Sequence, residues 1–355
     1  MGFVHNEVDS CVMNKMVNDK QITLVVYVDD ILALSEDMGA IEEVVARLKA
    51  KFGEVKHSTD KDLSYLGMHL CIEGGVATVS MVSYLKSVLE EHGITGVVTT
   101  PATGNLFELD ESSKQLDAKA GKEFHTIVAK LLYLAKRARI DVLLAVAYLC
   151  TRAKGPNVMD RLKLDRLLKY LNGTVDQVLL LKPSDTLDVV GYIDAAFGCH
   201  PDGKSHTGMV VTVGGAVVLC MSSKQKMVTR DSTEAELVGL SDKTMEVIKC
   251  ADFMQSQGYD VGVPRLKQDN TSTITLVTRG GGQYRTKYLK VRQAFMKERI
   301  DEDDVAVDYL PTKQMLADML TKPLQGELFR CMTCGITGVK PARHRGALRE
   351  LASGK

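Results

Sequence analysis

Val189-Val190-Gly191-Tyr192-Ile193-Asp194-Ala195 decides the fold. β-Branched and aromatic residues in a short apolar run predict a buried strand, and this one ends on a carboxylate. Residues 187–194, 206–213 and 216–221 read as three strands, the last two joined by Gly214-Gly215. A long helix follows, capped by Asp231, Ser232 or Thr233 and running to about residue 257. A strand at 266–269, a helix from Asn270 to Val277, a helix at 287–300, a strand at 305–310 stopped by Pro311, and a last helix to Leu320 complete the region. That order predicts a mixed α/β sheet.

Four acids stand at the edges of these elements: Asp194 and Asp269 at strand ends, Glu236 early in the long helix, Asp318 in the last one. Each has an ordinary alternative. Asp194 and Asp269 serve as strand-end or turn residues, and Asp318 as a surface acid. Glu236 would be the capping-box partner of Thr233, unless Glu234 plays that part for Asp231 and frees Glu236 to face inward. Clustered carboxylates are costly unless a cation neutralises them. The chemistry they suit is a pair of magnesium ions roughly 4 Å apart, cleaving a phosphodiester.

Upstream, residues 21–35 read as two strands around a tight turn, with Asp29-Asp30 at its tip. Those aspartates are either turn formers or oxygen ligands for magnesium. A helix at 39–52, strands at 63–72 and 76–80 around Gly74-Gly75, and a helix at 82–92 follow. Residues 95–120 are loop-like. Residues 122–171 read as a helical pair broken at Gly155-Pro156. Ten Lys or Arg against three Asp between Lys130 and Lys169 make that pair either a solvated face or a phosphate-facing one. After Leu324 the apolar pattern thins, and Lys340, Arg343, Arg345, Arg349 and Lys355 predict a disordered basic tail.

The 355 residues suit two or three domains, and zero net charge leaves any nucleic-acid argument to local patches. No apolar run approaches the ~18–20 residues of a membrane span. The N-terminus lacks a secretory signal, and eight scattered cysteines fit reduced thiols in the cytoplasm or nucleus. Cys331 and Cys334 form an isolated C-x-x-C pair, a weak zinc signal.

Residues 187–325 resemble the ribonuclease H domain of copia-type retrotransposon polyproteins. The resemblance rests on Gly191-Tyr192-Ile193-Asp194-Ala195, Lys204-Ser205-His206-Thr207-Gly208, Gly214-Gly215 and Ser222-Ser223-Lys224-Gln225-Lys226. It extends through Ser232-Thr233-Glu234-Ala235-Glu236, Asp269-Asn270-Thr271-Ser272, Pro311-Thr312, and Ala317-Asp318-Met319-Leu320-Thr321-Lys322-Pro323. It implies that Asp194, Glu236, Asp269 and Asp318 bind Mg2+ or Mn2+, with Glu236 preferred over Glu234 because a bulky residue, Leu237, follows it. Tyr27-Val28-Asp29-Asp30, Tyr65-Leu66-Gly67, Thr100-Pro101, Leu132-Tyr133-Leu134, Arg139-Ile140-Asp141 and Lys169-Tyr170-Leu171-Asn172-Gly173-Thr174 resemble the same polyprotein's reverse transcriptase. The implied α/β (α+β) architecture is an incomplete palm at 1–105, a helical, thumb-like connection at 106–183, a ribonuclease H-like mixed sheet at 184–325, and the basic tail at 326–355.

A reverse transcriptase needs a third metal-binding aspartate and fingers, expected before residue 1. Asp29 and Asp30 are therefore expected to form an incomplete metal site that does not polymerise DNA alone. The family usually has Pro where Ile140 stands, Trp where Phe197 stands, and histidines where Tyr288 and Ala294 stand. Arg279, Arg285, Lys287, Lys290 and Arg292 remain as a basic patch expected to hold the phosphates of an RNA–DNA hybrid. Hydrolysis of the RNA strand is the expected activity. The competing expectation is a decayed or non-catalytic element remnant that binds nucleic acid. Oligomeric state has no sequence signal.

Overall fold

The computed structural model describes residues 1–59, 62–279 and 286–339. In it, the stretch at 189–196 is strand β9 (Val189–Ala196), the middle of a five-stranded mixed sheet. β10 (Lys204–Val213) and β11 (Ala216–Val228) run antiparallel on one side. β12 (Arg265–Gln268) and β13 (Ala306–Tyr309) run parallel on the other, giving the order β11-β10-β9-β12-β13. Helices α6 (Ser232–Ser256), α7 (Thr271–Arg279) and α8 (Lys287–Asp301) cover one face. Val189, Ile193, Met209, Leu237, Val247, Leu266 and Met296 fill the layer between. Gly191 lets α6 lie close, since a Cβ there would come within 2.6 Å of Val247 Cγ2. This is the ribonuclease H-like mixed sheet that the motif order implied.

The opposite face is covered by the preceding helices rather than by solvent. Val210 and Val217 of the sheet join one core with Phe124, Leu131, Leu149 and Leu164. These come from α3 (Ala118–Ala135), α4 (Leu143–Arg152) and α5 (Val158–Gly173). The expected helical pair is thus three helices. The break at Gly155-Pro156 separates α4 from α5, and a 3₁₀ turn at Ile140–Val142 separates α3 from α4. Arg139 sits in that second break, fully buried, with its guanidinium forked onto Asp141 at 2.9 and 2.8 Å. Tyr170 donates to the same carboxylate at 2.7 Å, so the buried charge is fully partnered.

The N-terminal strands form two further sheets. One has the order β1-β2-β3-β4: β1 (Val4–His5), β2 (Val12–Val17), β3 (Lys20–Tyr27) and β4 (Asp30–Ser35), with α1 (Met38–Phe52) on one face. β1 and β2 are additions to the sequence reading. The other sheet joins β5 (Asp62–Tyr65), β6 (Met68–Glu73) and β7 (Val76–Ser80) to β8 (Leu179–Leu181). α2 (Val82–Glu91) follows β7 and packs its Leu85 and Val88 into the large core. β8, too short to show a pattern, ties chain on the far side of three helices back to the early hairpin.

The tail needs a correction. Gly326–Thr337 is helix α9, not a disordered segment. Phe329, Met332 and Ile336 recur at i, i+3 and i+7, a short apolar stripe that buries against the large core. The helix ends on Gly338 in the left-handed region, φ 68°. The basic residues from Lys340 onward lie outside the described residues. Among the described residues no helix is long and apolar enough to cross a membrane.

Candidate metal centre

Asp194 lies on β9, buried, opposite Gly208 of β10. On its other side β12 pairs only as far as Lys267 against Tyr192. Asp194 therefore sits just past the end of that parallel ladder, where ligand sites in α/β sheets commonly open. Glu236 comes from the second turn of α6, which Gly239 lets approach: a Cβ there would stand 3.2 Å from Thr207 Cγ2. Asp269 follows the last residue of β12. One carboxylate oxygen from each of Asp194, Glu236 and Asp269 lies within 4.8 Å of the others. This is the one such group of three potential metal ligands among the described residues.

The helix start turns Glu234 and Glu236 in different directions. Asp231 caps α6, accepting from Glu234 N at 2.9 Å. The Glu234 carboxylate turns back to Arg230, taking its backbone N–H at 2.9 Å and its guanidinium Nε–H at 2.8 Å. Glu236 is left to face inward, where Gln268 Nε2 donates to its Oε2 at 3.3 Å. Burial, then the charges of Asp194 and Asp269, push the Glu236 carboxyl well above the ordinary range.

Asp318 stands beside this group. The expected last helix is two 3₁₀ turns, Thr312–Gln314 and Leu316–Leu320, and the second carries Asp318. That turn rests directly on β10. A Cβ on Gly208 would meet Ala317 O at 2.8 Å and Leu320 Cβ at 2.9 Å. Burial first, then the charge of Asp194, push Asp318 up to about 6.

Several residues that brace the acids lie within the quoted motifs, but the sequence assigned them no role. Thr312 donates to Asp269 Oδ2 at 2.7 Å, and Thr321 donates to Asp194 Oδ2. Lys322 Nζ lies 2.8 Å from Asp318 Oδ1 and 3.4 Å from Asp194. Behind the turn runs a polar chain. His200 Nε2 meets His206 Nδ1 at 2.9 Å, and His206 Nε2 meets Ser222 Oγ at 2.7 Å. Ser222 donates to Leu320 O at 2.8 Å. With the Ser222 proton committed to Leu320, the serine accepts from His206 Nε2–H, and bare His206 Nδ1 accepts from His200. Both rings are neutral in that arrangement; burial lowers His200 to about 4 and His206 to about 3. Only membership of the Lys204–Gly208 motif could have pointed to His206.

The upstream pair is arranged differently. Val28 and Asp29 form the two-residue turn, and Asp30 already pairs with Tyr27 as the first residue of β4, so the two acids do not share the tip. Both are exposed. Val28 holds φ at 56°, a strained value for a β-branched residue.

Of the basic patch, Arg279 ends α7, and Lys287 and Lys290 are exposed on α8. Arg292 is bound to Asp242 at 2.5 Å and stacks on the Tyr288 ring, 4.4 Å from its centroid. Arg285 lies outside the described residues. Cys331 and Cys334 lie on α9 and are not joined in a disulfide.

Residues 1–103 match the family model for reverse transcriptase (RNA-dependent DNA polymerase). The retrovirus-related Pol polyprotein from transposon TNT 1-94 of Nicotiana tabacum is 29% identical over 333 residues, 88% of this chain and 24% of that one. The corresponding polyprotein from transposon RE2 of Arabidopsis thaliana is 29% identical over 356 residues, 98% of this chain and 24% of that one. The chain spans about a quarter of the length of these curated relatives. Among solved structures, the foamy viral protease-reverse transcriptase in complex with RNA/DNA hybrid matches 81% of this chain and 36% of its own. Its TM-score is 0.50 at 10% identity, a likeness of fold. Over most of its length the chain is related to the Pol polyproteins of copia-type transposons, with a reverse transcriptase-like region followed by a ribonuclease H-like mixed sheet.

Proposed function

We propose that the ribonuclease H-like sheet hydrolyses the RNA strand of RNA–DNA hybrids with Mg2+ or Mn2+, inside the cell. The observation that carries this is the convergence of Asp194, Glu236 and Asp269 within 4.8 Å, with Asp318 one ion pair away. An all-oxygen carboxylate set suits hard divalent ions. Burial first, and then repulsion from Asp194 and Asp269, raise the Glu236 carboxyl; a cation relieves both, so the residues fit the ion. When bound, the ion supplies a Lewis acid and an activated water.

The chain's own residues prepare the place. Gln268, Thr312 and Thr321 orient Glu236, Asp269 and Asp194 by donating to one oxygen of each, and Lys322 reaches the other oxygen of Asp194 at 3.4 Å. Arg279, Lys287 and Lys290 offer exposed charge to phosphates, while Arg292 holds Tyr288 in place as a flat surface beside them. A hybrid is the substrate class, as in the complex of the foamy viral relative. Asp29 and Asp30, with no third carboxylate beside them among the described residues, do not support nucleotide transfer by this chain alone.

The test is cleavage of a labelled hybrid by the full chain and by Asp194→Asn across Mg2+ and Mn2+ titrations. Cleavage by the wild type and its loss by at least ~100-fold in the variant are expected. A silent wild type across both titrations rejects the reading, and salt-dependent hybrid binding without cleavage selects a non-catalytic binding role. Primer extension on an RNA template, run on the same preparation, is expected to be null.

A further inference from the structure

The sheet that joins β5, β6, β7 and β8 has two unlike faces. Met68, Leu70 and Val79 pack into the large core. Strand alternation turns His69 and Cys71 of β6 to the other face, beside their partners Ser80 and Thr78 of β7. Asp62, the first residue of β5, stands directly opposite Cys71. On that face Asp62, His69, Cys71, Thr78 and Ser80 line a groove of about 350 Å³. His69 Nδ1 lies 3.8 Å from Asp62 Oδ1. That is too long for a hydrogen bond, but close to the roughly 3.3 Å between two ligands of one tetrahedral zinc ion with bonds of about 2 Å. Cross-strand partners hold their Cβ atoms about 5 Å apart, so a Cys71 thiol turned toward Asp62 reaches the same point.

We propose that Asp62, His69 and Cys71 form a Zn2+ site on the open face of this sheet. None of the three lies within the motifs that resemble the Pol polyproteins, and the site is independent of the proposed nuclease centre. One imidazole, one thiolate and one carboxylate make a borderline-soft set, which suits zinc, whereas an all-carboxylate set suits magnesium. Cys71 Sγ is the donor that moves. Asp62 and His69 already stand close, whereas only Asp194, Glu236 and Asp269 gather three ligand atoms within 4.8 Å among the described residues. The Cys71 thiol releases its proton to solvent as the Zn–S bond forms, and the groove leaves the fourth position to water. β5 is a four-residue strand at the sheet's edge, paired to β6. The ion clips the start of that strand to the middle of its neighbour.

The experiment titrates the full, reduced chain with Co2+ as a spectroscopic stand-in for zinc, with Mg2+ in excess to occupy oxygen-only sites. Tetrahedral d–d bands in the visible and a sulfur-to-cobalt charge-transfer band in the near ultraviolet are expected, saturating at one Co2+ per chain and bleached by Zn2+. Carboxylates alone give no sulfur band, so the signal does not report the three-acid centre. Cys71→Ser should abolish the charge-transfer band. His69→Gln and Asp62→Asn should each weaken binding by at least ~10-fold, the loss that removing even a supporting residue causes. Cys331→Ser, which breaks the C-x-x-C pair of α9, should change nothing. Each variant is first shown to melt cooperatively, and Cys71→Ala replaces Cys71→Ser if the serine variant does not. No sulfur band in wild type, a band that survives loss of Cys71 or of both His69 and Asp62, or a band lost in Cys331→Ser overturns the proposal. Any of these leaves the nuclease reading untouched.

Discussion

Replacing Asp318 by Asn tests whether the acid cluster is built at the expense of stability. Asp318 is 6% exposed, and burial with the Asp194 charge pushes its pKa from the ordinary 3.8 to about 6. The sign follows from where the proton sits. Below pH ~4 the residue is neutral in both folded and unfolded chains, so Asn changes little. Between 3.8 and about 6 the unfolded chain releases its proton while the folded one keeps it, and folding loses stability as pH rises. Above about 6 the cost is complete. That gap corresponds to roughly 3 kcal/mol, taking ~1.4 kcal/mol per pH unit. The figure already contains the ion pair with Lys322, whose pull lowers Asp318 from where burial alone would put it.

Asp318→Asn should therefore raise the melting temperature in EDTA at pH 8 by about 4 °C, and by almost nothing at pH 4. Saturating Mg2+ should narrow the difference, because a bound cation relieves the wild type more than the variant. Hybrid cleavage by the variant should fall although the protein is more stable. Paired thermal melts across pH 4–8, with and without Mg2+, measure all of this. An Asn variant that is no more stable than wild type at pH 8 in EDTA, or an advantage that grows as the pH falls, refutes the argument.

Two further substitutions probe the scaffold. Gly208→Ala places a methyl 2.8 Å from the backbone oxygen of Ala317, which cannot rotate away, so the turn bearing Asp318 must lift off β10. Cleavage should drop by ~10-fold or more while Mn2+ binding at the three-acid group persists; unchanged cleavage would show that the turn's position does not matter. Arg139→Met strips the partner from buried Asp141 and Tyr170 and should cost about 3–5 kcal/mol in a denaturant melt, with the Arg139→Met, Asp141→Leu double variant recovering much of it. A single-variant loss under ~1 kcal/mol would mean water replaces the fork.

The parts of the molecule legible in the sequence are those whose local pattern and tertiary environment agree. Val189–Ala196 is apolar because the sheet is covered on both faces, so the run is visible without knowing the cover. The inward turn of Glu236 could be argued because Asp231 and Glu234 already account for the helix start. Illegible were the elements whose meaning is purely tertiary. β8 is three leucines that become a strand only beside β7, and α9 presents just three apolar residues to a core that reaches back as far as Leu85 of α2. Lys322 and Thr321 were in plain view within a quoted motif, but nothing in spacing says that a side chain will fold back across its own turn onto Asp194. The His200–His206–Ser222 chain is hidden for the same reason, since three residues on two strands and a loop acquire a direction only when Leu320 supplies the final acceptor.

The chain's two acid sets differ less in their residues than in what surrounds them. Asp29 and Asp30 lie in water, on a hairpin whose Val28 is strained, and among the described residues no third ligand joins them. Exposed carboxylates of that kind repel weakly and need no neutralising partner. Asp194, Glu236, Asp269 and Asp318 are mostly buried, and the raised pKa values of Glu236 and Asp318 measure how unwelcome their charges are. A fold without use for a cation there could relieve the same strain with one neutral side chain. Instead each acid is held by its own donor: Gln268 on Glu236, Thr312 on Asp269, Thr321 on Asp194, Lys322 on Asp318. Donors that orient buried carboxylates without neutralising most of their charge suit a ligand set rather than an ion-free core, and that is the physical ground for proposing the chemistry at the end of β9 and not at the hairpin.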